Sequence, residues 1–225
     1  MVTTALLLAT PAMAEVNFVQ SPAYKECTAL AASNPTAALA KAEEWLKIDN
    51  SIPALHCRAM ALYGLRRYAE AGEALGAVRI TIPNENLTMR AYVTRQAIQA
   101  FSNANRAEAA LGILNAQISD MSSVRGDNVT AAKLTSELLL ERARVHVTYG
   151  KLADAIRDLD RAVSLTPLNE DVLLERAGVF VQLGDIPLAI SDTKSVLTLN
   201  AGNVKARALL RDLEAKPAKP AVSGQ

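Results

Sequence analysis

The chain repeats itself at a fixed interval, and that constrains its fold more than any other feature. The stretch LLLERARVHVTYGKLADAI begins at Leu138, and 34 residues later VLLERAGVFVQLGDIPLAI begins at Val172. Aligning Ser136–Asn169 with Glu170–Asn203 leaves thirteen of 34 positions identical, among them Glu141/Glu175, Arg142/Arg176, Ala143/Ala177, Gly150/Gly184, Ala155/Ala189, Asp158/Asp192 and Asn169/Asn203. Each copy holds an apolar-periodic helix ending near Gly150 or Gly184, where glycine permits a tight turn. A second helix follows, carrying Ala155 or Ala189, small enough to let two helices approach closely. Pro167 stops that second helix in the first copy. One such unit cannot bury its apolar face alone, so this period predicts a stack of helix pairs.

At these residues the chain resembles the tetratricopeptide repeat family. That pattern asks for small residues at positions eight, twenty and twenty-seven, Gly at fifteen and Pro at thirty-two. The first copy supplies Ala143, Gly150, Ala155, Ala162 and Pro167; the second supplies Ala177, Gly184 and Ala189 but has Val196 and Ala201 at the last two. Weaker copies lie upstream. One places Ala59, Tyr68 and Ala71 at family positions with Arg66 in place of the turn glycine, and another places Phe101, Asn105 and Ala110, where Asn tolerates a left-handed turn. The resemblance implies an all-α fold, a right-handed superhelical stack of about five helix-turn-helix units. The expected boundaries are 19–51, 52–90, 91–124, 136–169 and 170–203, with a capping helix over 204–215 and a Pro-rich disordered tail over 216–225. The first helix of the earliest unit is expected over Pro22–Ala32. The extra residues between units fall in RITIPNENL and SDMSSVRGDNVTAAKL. The longer insert leaves two outcomes open: it extends the following helix, or it breaks the stack in two.

Charge is balanced at +1 and no run of Lys and Arg stands out, which excludes the concentrated basic face of a nucleic-acid binder. No Gly-rich phosphate loop, nucleophile elbow or His-Glu-x-x-His pair occurs, so no cofactor, metal or catalytic residue is expected. His56 and His146 are far apart, and the counterpart of His146 is Phe180, which reads as a packed histidine. Asp158 and Asp160 in RDLDRA read as a solvated face. Trp45, the only tryptophan, reads as packing between repeats. Asn86 and Asn128 stand in glycosylation sequons, relevant only in a eukaryotic secretory route.

The function expected is a non-enzymatic interaction scaffold, because stacked helix pairs present the first helix of each pair to a concave face that binds peptides or helices. The residues expected on that face are Met60, Tyr63, Tyr92, Arg95, Gln99, Asn103 and Arg144. Some members of the family hold a terminal carboxylate in a Lys/Asn/Arg clamp. Arg95 and Gln99 match that clamp only in part, and Glu141 would repel a carboxylate. The alternative is a helical-repeat enzyme or small-ligand protein, which lacks any visible pairing of acids or of nucleophile with base.

At the N-terminus, ALLLATPAMAE joins a short apolar run to small residues flanking Met13, the layout of a secretory signal cleaved after Ala14, though no basic residue precedes it. A periplasmic or secreted protein is therefore expected, with residues 1–14 as the signal and no transmembrane segment, since the run is far short of the ~20 residues a span needs. The chain has two cysteines. The repeat register puts Cys27 and Cys57 on facing sides of neighbouring first helices, so a disulfide between them is expected in an oxidising compartment.

Overall fold

The computed structural model describes residues 21–122 and 129–215, and all of its regular structure there is helical. The expected signal and its cleavage site, and the tail over 216–225, lie outside the described residues. Eleven helices follow one another: α1 (Pro22–Ser33), α2 (Pro35–Ile48), α3 (Ile52–Gly64), α4 (Tyr68–Thr81), α5 (Leu87–Asn103), α6 (Ala107–Ser122), α7 (Val129–Thr148), α8 (Leu152–Leu165), α9 (Glu170–Leu183), α10 (Ile186–Leu199) and α11 (Val204–Glu214). They make five antiparallel pairs and a final single helix. None of them is long and apolar enough to cross a membrane. The chain divides into two compact units, Met1–Thr81 and Ile82–Gln225.

Helix starts are written in short polar side chains. Ser21, Asn34, Asn86, Asn169, Asp185 and Asn203 each accept a hydrogen bond from a backbone N–H of the first turn, satisfying one of the donors a helix leaves orphaned there. This explains why Asn169 and Asn203 are identical in the two copies. In four of the five pairs the turn contains one residue with positive φ, Arg66 at 60°, Asn105 at 54°, Gly150 at 70° and Gly184 at 82°, whereas the first pair turns at Asn34 with φ −146°. All four close the same kind of corner, yet only two are glycine.

In the first unit α1 packs on α2 and α3, and α3 on α2 and α4. Cys27 on α1 and Cys57 on α3 are joined as a disulfide, with Cα atoms 6.0 Å apart and both side chains fully buried against Ala42. Beside it His56 is buried, its Nδ1 2.8 Å from the hydroxyl of Tyr24. Gly64, at the end of α3, is demanded by crowding: a Cβ there would lie 2.5 Å from the carbonyl oxygen of Ala31 and 2.8 Å from Cβ of Pro35. Trp45 is half-buried on α2 and donates from Nε1 to Asp49 at 3.2 Å.

In the second unit each helix packs on the next from α5 to α11, and the first helices of successive pairs also meet, α5 with α7 and α7 with α9. One apolar core runs through it, from Ala91 and Ile98 on α5 through Leu114, Leu138, Leu139 and Leu159 to Val172 and Val179 on α9. Ala143, Ala155, Ala162, Ala177 and Ala189 are completely buried at the close approaches.

Two boundaries differ from expectation. The third pair begins at Leu87 rather than residue 91, because Asn86 caps it: its side chain accepts from the N–H of Met89 at 3.2 Å. The fourth begins at Val129 rather than residue 136. The longer insert thus extends α7 by two turns, and Leu134 in that extension joins the core. It leaves the stack unbroken, since α6 packs on α7. The division of the chain falls instead at the shorter insert, between Thr81 and Ile82. There Arg90, buried on α5, draws the segment before it onto the second unit: its Nη1 donates to the carbonyl of Ile82 at 2.9 Å and to Asn84 at 2.5 Å, while Nη2 pairs with Asp120 at 2.5 Å.

Candidate interaction groove

The first helices α5, α7 and α9 leave two clefts on one side of the second unit. The first, of about 280 Å³, lies between α5 and α7. Arg95, Ile98, Gln99 and Ser102 line it from α5, and Glu141, Arg144, Val145 and Thr148 from α7. On each helix these residues follow the three-and-four spacing that lines up one face. The second cleft, of about 220 Å³, has Arg144 on one wall, Asp171, Leu174, Glu175, Gly178, Val179 and Gln182 of α9, and Lys205 of α11. Arg144 belongs to both.

Cross-helix ion pairs rung this face. Arg95 donates to Glu137 at 2.6 Å, from α5 to α7, and Arg144 donates to Glu175 at 2.8 Å, from α7 to α9, while also meeting Glu141 at 2.9 Å. Burial works to lower the pKa of Arg144, but its bonds to Glu175 and Glu141 outweigh that and hold the guanidinium above its usual value. The clefts therefore combine fixed charge pairs with hydrogen-bonding amides and short apolar patches. That combination can bind a peptide backbone and side chains; it supplies no nucleophile with a base. Among the described residues no group of three or more His, Cys, Asp or Glu side chains is placed to hold a metal ion.

The seven residues expected on this face are only partly brought together. Arg95, Gln99 and Arg144 line the first cleft. Asn103 adjoins it, accepting from Gln99 Nε2 at 3.1 Å. Tyr92 is exposed on α5 but does not line that cleft; its hydroxyl accepts from Gln96 at 3.1 Å. Met60 and Tyr63 belong to the first unit. There Met60 packs half-buried against Ala31, Ala38 and Ala61, and Tyr63 meets the Tyr68 ring edge-on at 5.2 Å.

Asp158 is not part of a solvated face. It is buried, and the guanidinium of Arg142 grips it with Nε at 2.8 Å and Nη2 at 2.5 Å while Nη1 reaches Asn115 on α6 at 2.7 Å. One repeat later Arg176 grips Asp192 with both bonds at 2.8 Å and sends Nη1 to Asp160 on α8, also at 2.8 Å. Each arginine thus ties the two helices of its own pair to the second helix of the pair before. The bond to Asp192 is the leading reason that the pKa of Arg176 is raised, burial opposing it. His146 lies half-buried with Nε2 3.7 Å from Asp158, and its counterpart Phe180 lies under Arg176, 5.8 Å from ring centre to guanidinium. The readable signal was the constant sixteen-residue offset from Arg142 to Asp158 and from Arg176 to Asp192.

No protein-family pattern and no curated protein matches the chain. Solved structures do. The crystal structure of YrrB, described as a TPR protein with an unusual peptide-binding site, is 13% identical, covers 84% of this chain and 91% of its own, and superposes with a TM-score of 0.58. MamA from Desulfovibrio magneticus RS-1, residues 41 to the end, is 19% identical over 82% of this chain and 98% of its own, with a TM-score of 0.53. A MamA RS-1 double mutant gives 18% identity, 80% and 96% coverage and a TM-score of 0.54. The fold is the tetratricopeptide-repeat fold, an all-α stack of helix pairs.

Proposed function

We propose that this chain is a non-enzymatic protein-interaction scaffold that seats an extended peptide segment along the α5/α7 side of its second unit. The observation that carries the reading is the convergence of Arg95, Gln99 and Arg144 in one cleft, from two helices, around Ile98 and Val145. Half-exposed guanidinium and amide groups can bond a peptide's backbone carbonyls, while the apolar residues take its side chains. The likeness to YrrB, itself described with a peptide-binding site, agrees with this use of the fold. The reading includes export to a bacterial periplasm or the exterior, supported by the apolar run and small-residue site near Ala14 and by a cysteine pair that an oxidising compartment would keep joined.

Cross-linking and pull-down from the native envelope tests both parts. A partner should be captured by the wild type and lost from the triple variant Arg95→Ala, Gln99→Ala, Arg144→Ala, while a control change at an exposed residue that lines neither cleft, Ser191→Ala on α10, keeps it. Equal capture by the triple variant would refute the groove. Recovery of the protein only from the cytosol, with its N-terminus uncut, would refute export.

A further inference from the structure

We propose that the cleft over Gly178 receives one large uncharged side chain of the bound peptide, and that the missing side chain at residue 178 sets this selectivity; the proposal rests on the peptide-groove reading above.

Gly178 stands in the middle of α9, where glycine weakens a helix relative to alanine. The two usual structural reasons for a helical glycine are absent. Its φ is not among the positive values that mark Gly150 and Gly184, and a Cβ at residue 178 would meet nothing within 4 Å. It contrasts with Gly64, which a methyl group would drive into backbone. What remains is the space the residue leaves. Its counterpart one repeat earlier is Arg144, whose long side chain lines the first cleft and reaches Glu175. Repeat five has the same helix face with that side chain deleted.

The chemistry of the space follows from its walls. Arg144 and Lys205 against Asp171 and Glu175 sum to zero, and Arg144 and Glu175 already satisfy each other at 2.8 Å. A charged group entering the cleft would find no net complementary charge and would lose hydration. Leu174, half-buried, and Val179 give apolar lining beside the bare helix backbone at Gly178. Volume and neutrality together favour an aliphatic or aromatic side chain, inserted as an anchor into a ready-made pocket.

The test selects a random peptide library displayed on phage against the purified full chain, then measures the affinity of enriched peptides by fluorescence anisotropy. Gly178→Arg refills the cleft as the preceding repeat does, Gly178→Leu refills it with uncharged bulk, and Gly178→Ala adds only a methyl group. Circular dichroism checks that each folds. The expected result is enrichment of peptides sharing a large apolar residue, whose binding falls roughly tenfold or more in both bulky variants and is kept in Gly178→Ala. Peptides that bind the bulky variants as well as the wild type, but are lost when Arg95 and Gln99 become alanine, overturn this inference and leave the groove standing. Enriched peptides without a large apolar residue overturn it too. No enrichment at all overturns both.

Discussion

Replacing Arg176 with leucine should destabilise the second unit far more than an ordinary surface change. The guanidinium makes three hydrogen bonds, each 2.8 Å: two to Asp192 and one to Asp160. The two acceptors differ sharply in exposure. The side chain of Asp160 is 54% exposed, so it returns to water at little cost once released. That of Asp192 is only 8% exposed and would be left as a carboxylate facing α9 without its partner. Removing one member of a buried pair typically costs about 3–5 kcal/mol, and the arginine's own partial exposure (19%) places this one near ~3 kcal/mol. For a unit of this size that corresponds to a loss of roughly 6–12 °C in Tm.

The assay is urea unfolding followed by far-ultraviolet circular dichroism, on wild type, Arg176→Leu, Asp192→Leu, the double variant and Asp160→Asn. Asp160→Asn should stay within about 0.5 kcal/mol of wild type. The double variant should recover most of the loss, because two apolar side chains can occupy a place where neither charge then needs a partner. A loss under about 1 kcal/mol for Arg176→Leu would show that the pair is only a surface ion pair. A double variant as unstable as the sum of the singles would refute the account in which the stranded carboxylate carries the cost.

Three further outcomes follow from the geometry. Arg66→Gly should stabilise the first unit by about 1 kcal/mol, because residue 66 holds a φ of 60° that a side chain disfavours; thermal unfolding reads the gain, and a loss would refute it. Gly64→Ala should cost about 1–3 kcal/mol, since its Cβ would meet the Ala31 carbonyl at 2.5 Å and backbone must shift; unchanged urea unfolding would refute the crowding. Thiol titration of denatured, unreduced protein should find no free thiol, and reduction should lower stability by roughly 3 kcal/mol for a closure spanning 30 residues, two free thiols being the refuting result.

What could be read from the sequence was whatever the 34-residue period repeats. Gly150 and Gly184 marked their turns directly, and Ala143 with Ala155 marked the close approaches, because one physical demand recurs at one offset. The earlier turns obey the same geometry with Arg66 and Asn105, residues whose types announce it weakly or not at all. The start of α5 is legible in Asn86, three residues before Met89, a cap that the repeat spacing alone does not mark. Cys27 and Cys57 could be paired from the register of neighbouring first helices. Met60 could not be placed, since a methionine on a first helix fills a gap among alanines as readily as it faces solvent. Asp158 and Asp160, two apart on one helix, point to different faces, and nothing local distinguishes the one that is buried; that depends on an arginine from another helix.

That arginine also bears on how the groove can work. Arg142 and Arg144 are two residues apart on α7, so their side chains leave on different faces. Arg142 locks the helix to Asp158 and Asn115 behind it, while Arg144 faces the clefts with Glu141 and Glu175. Arg176 and Gly178 divide the same two positions on α9, the first gripping Asp192 and Asp160, the second leaving space in the cleft. The rear position must satisfy a buried carboxylate, so its identity is tied to Asp158 and Asp192 and cannot vary alone without stranding a charge. The front position meets part-exposed acids of the cleft walls, Glu141 and Glu175 in the case of Arg144, and it changes from arginine to glycine between adjacent repeats. A stack built this way holds its helices in place with one set of side chains while the neighbouring set differs, so the two clefts have different linings.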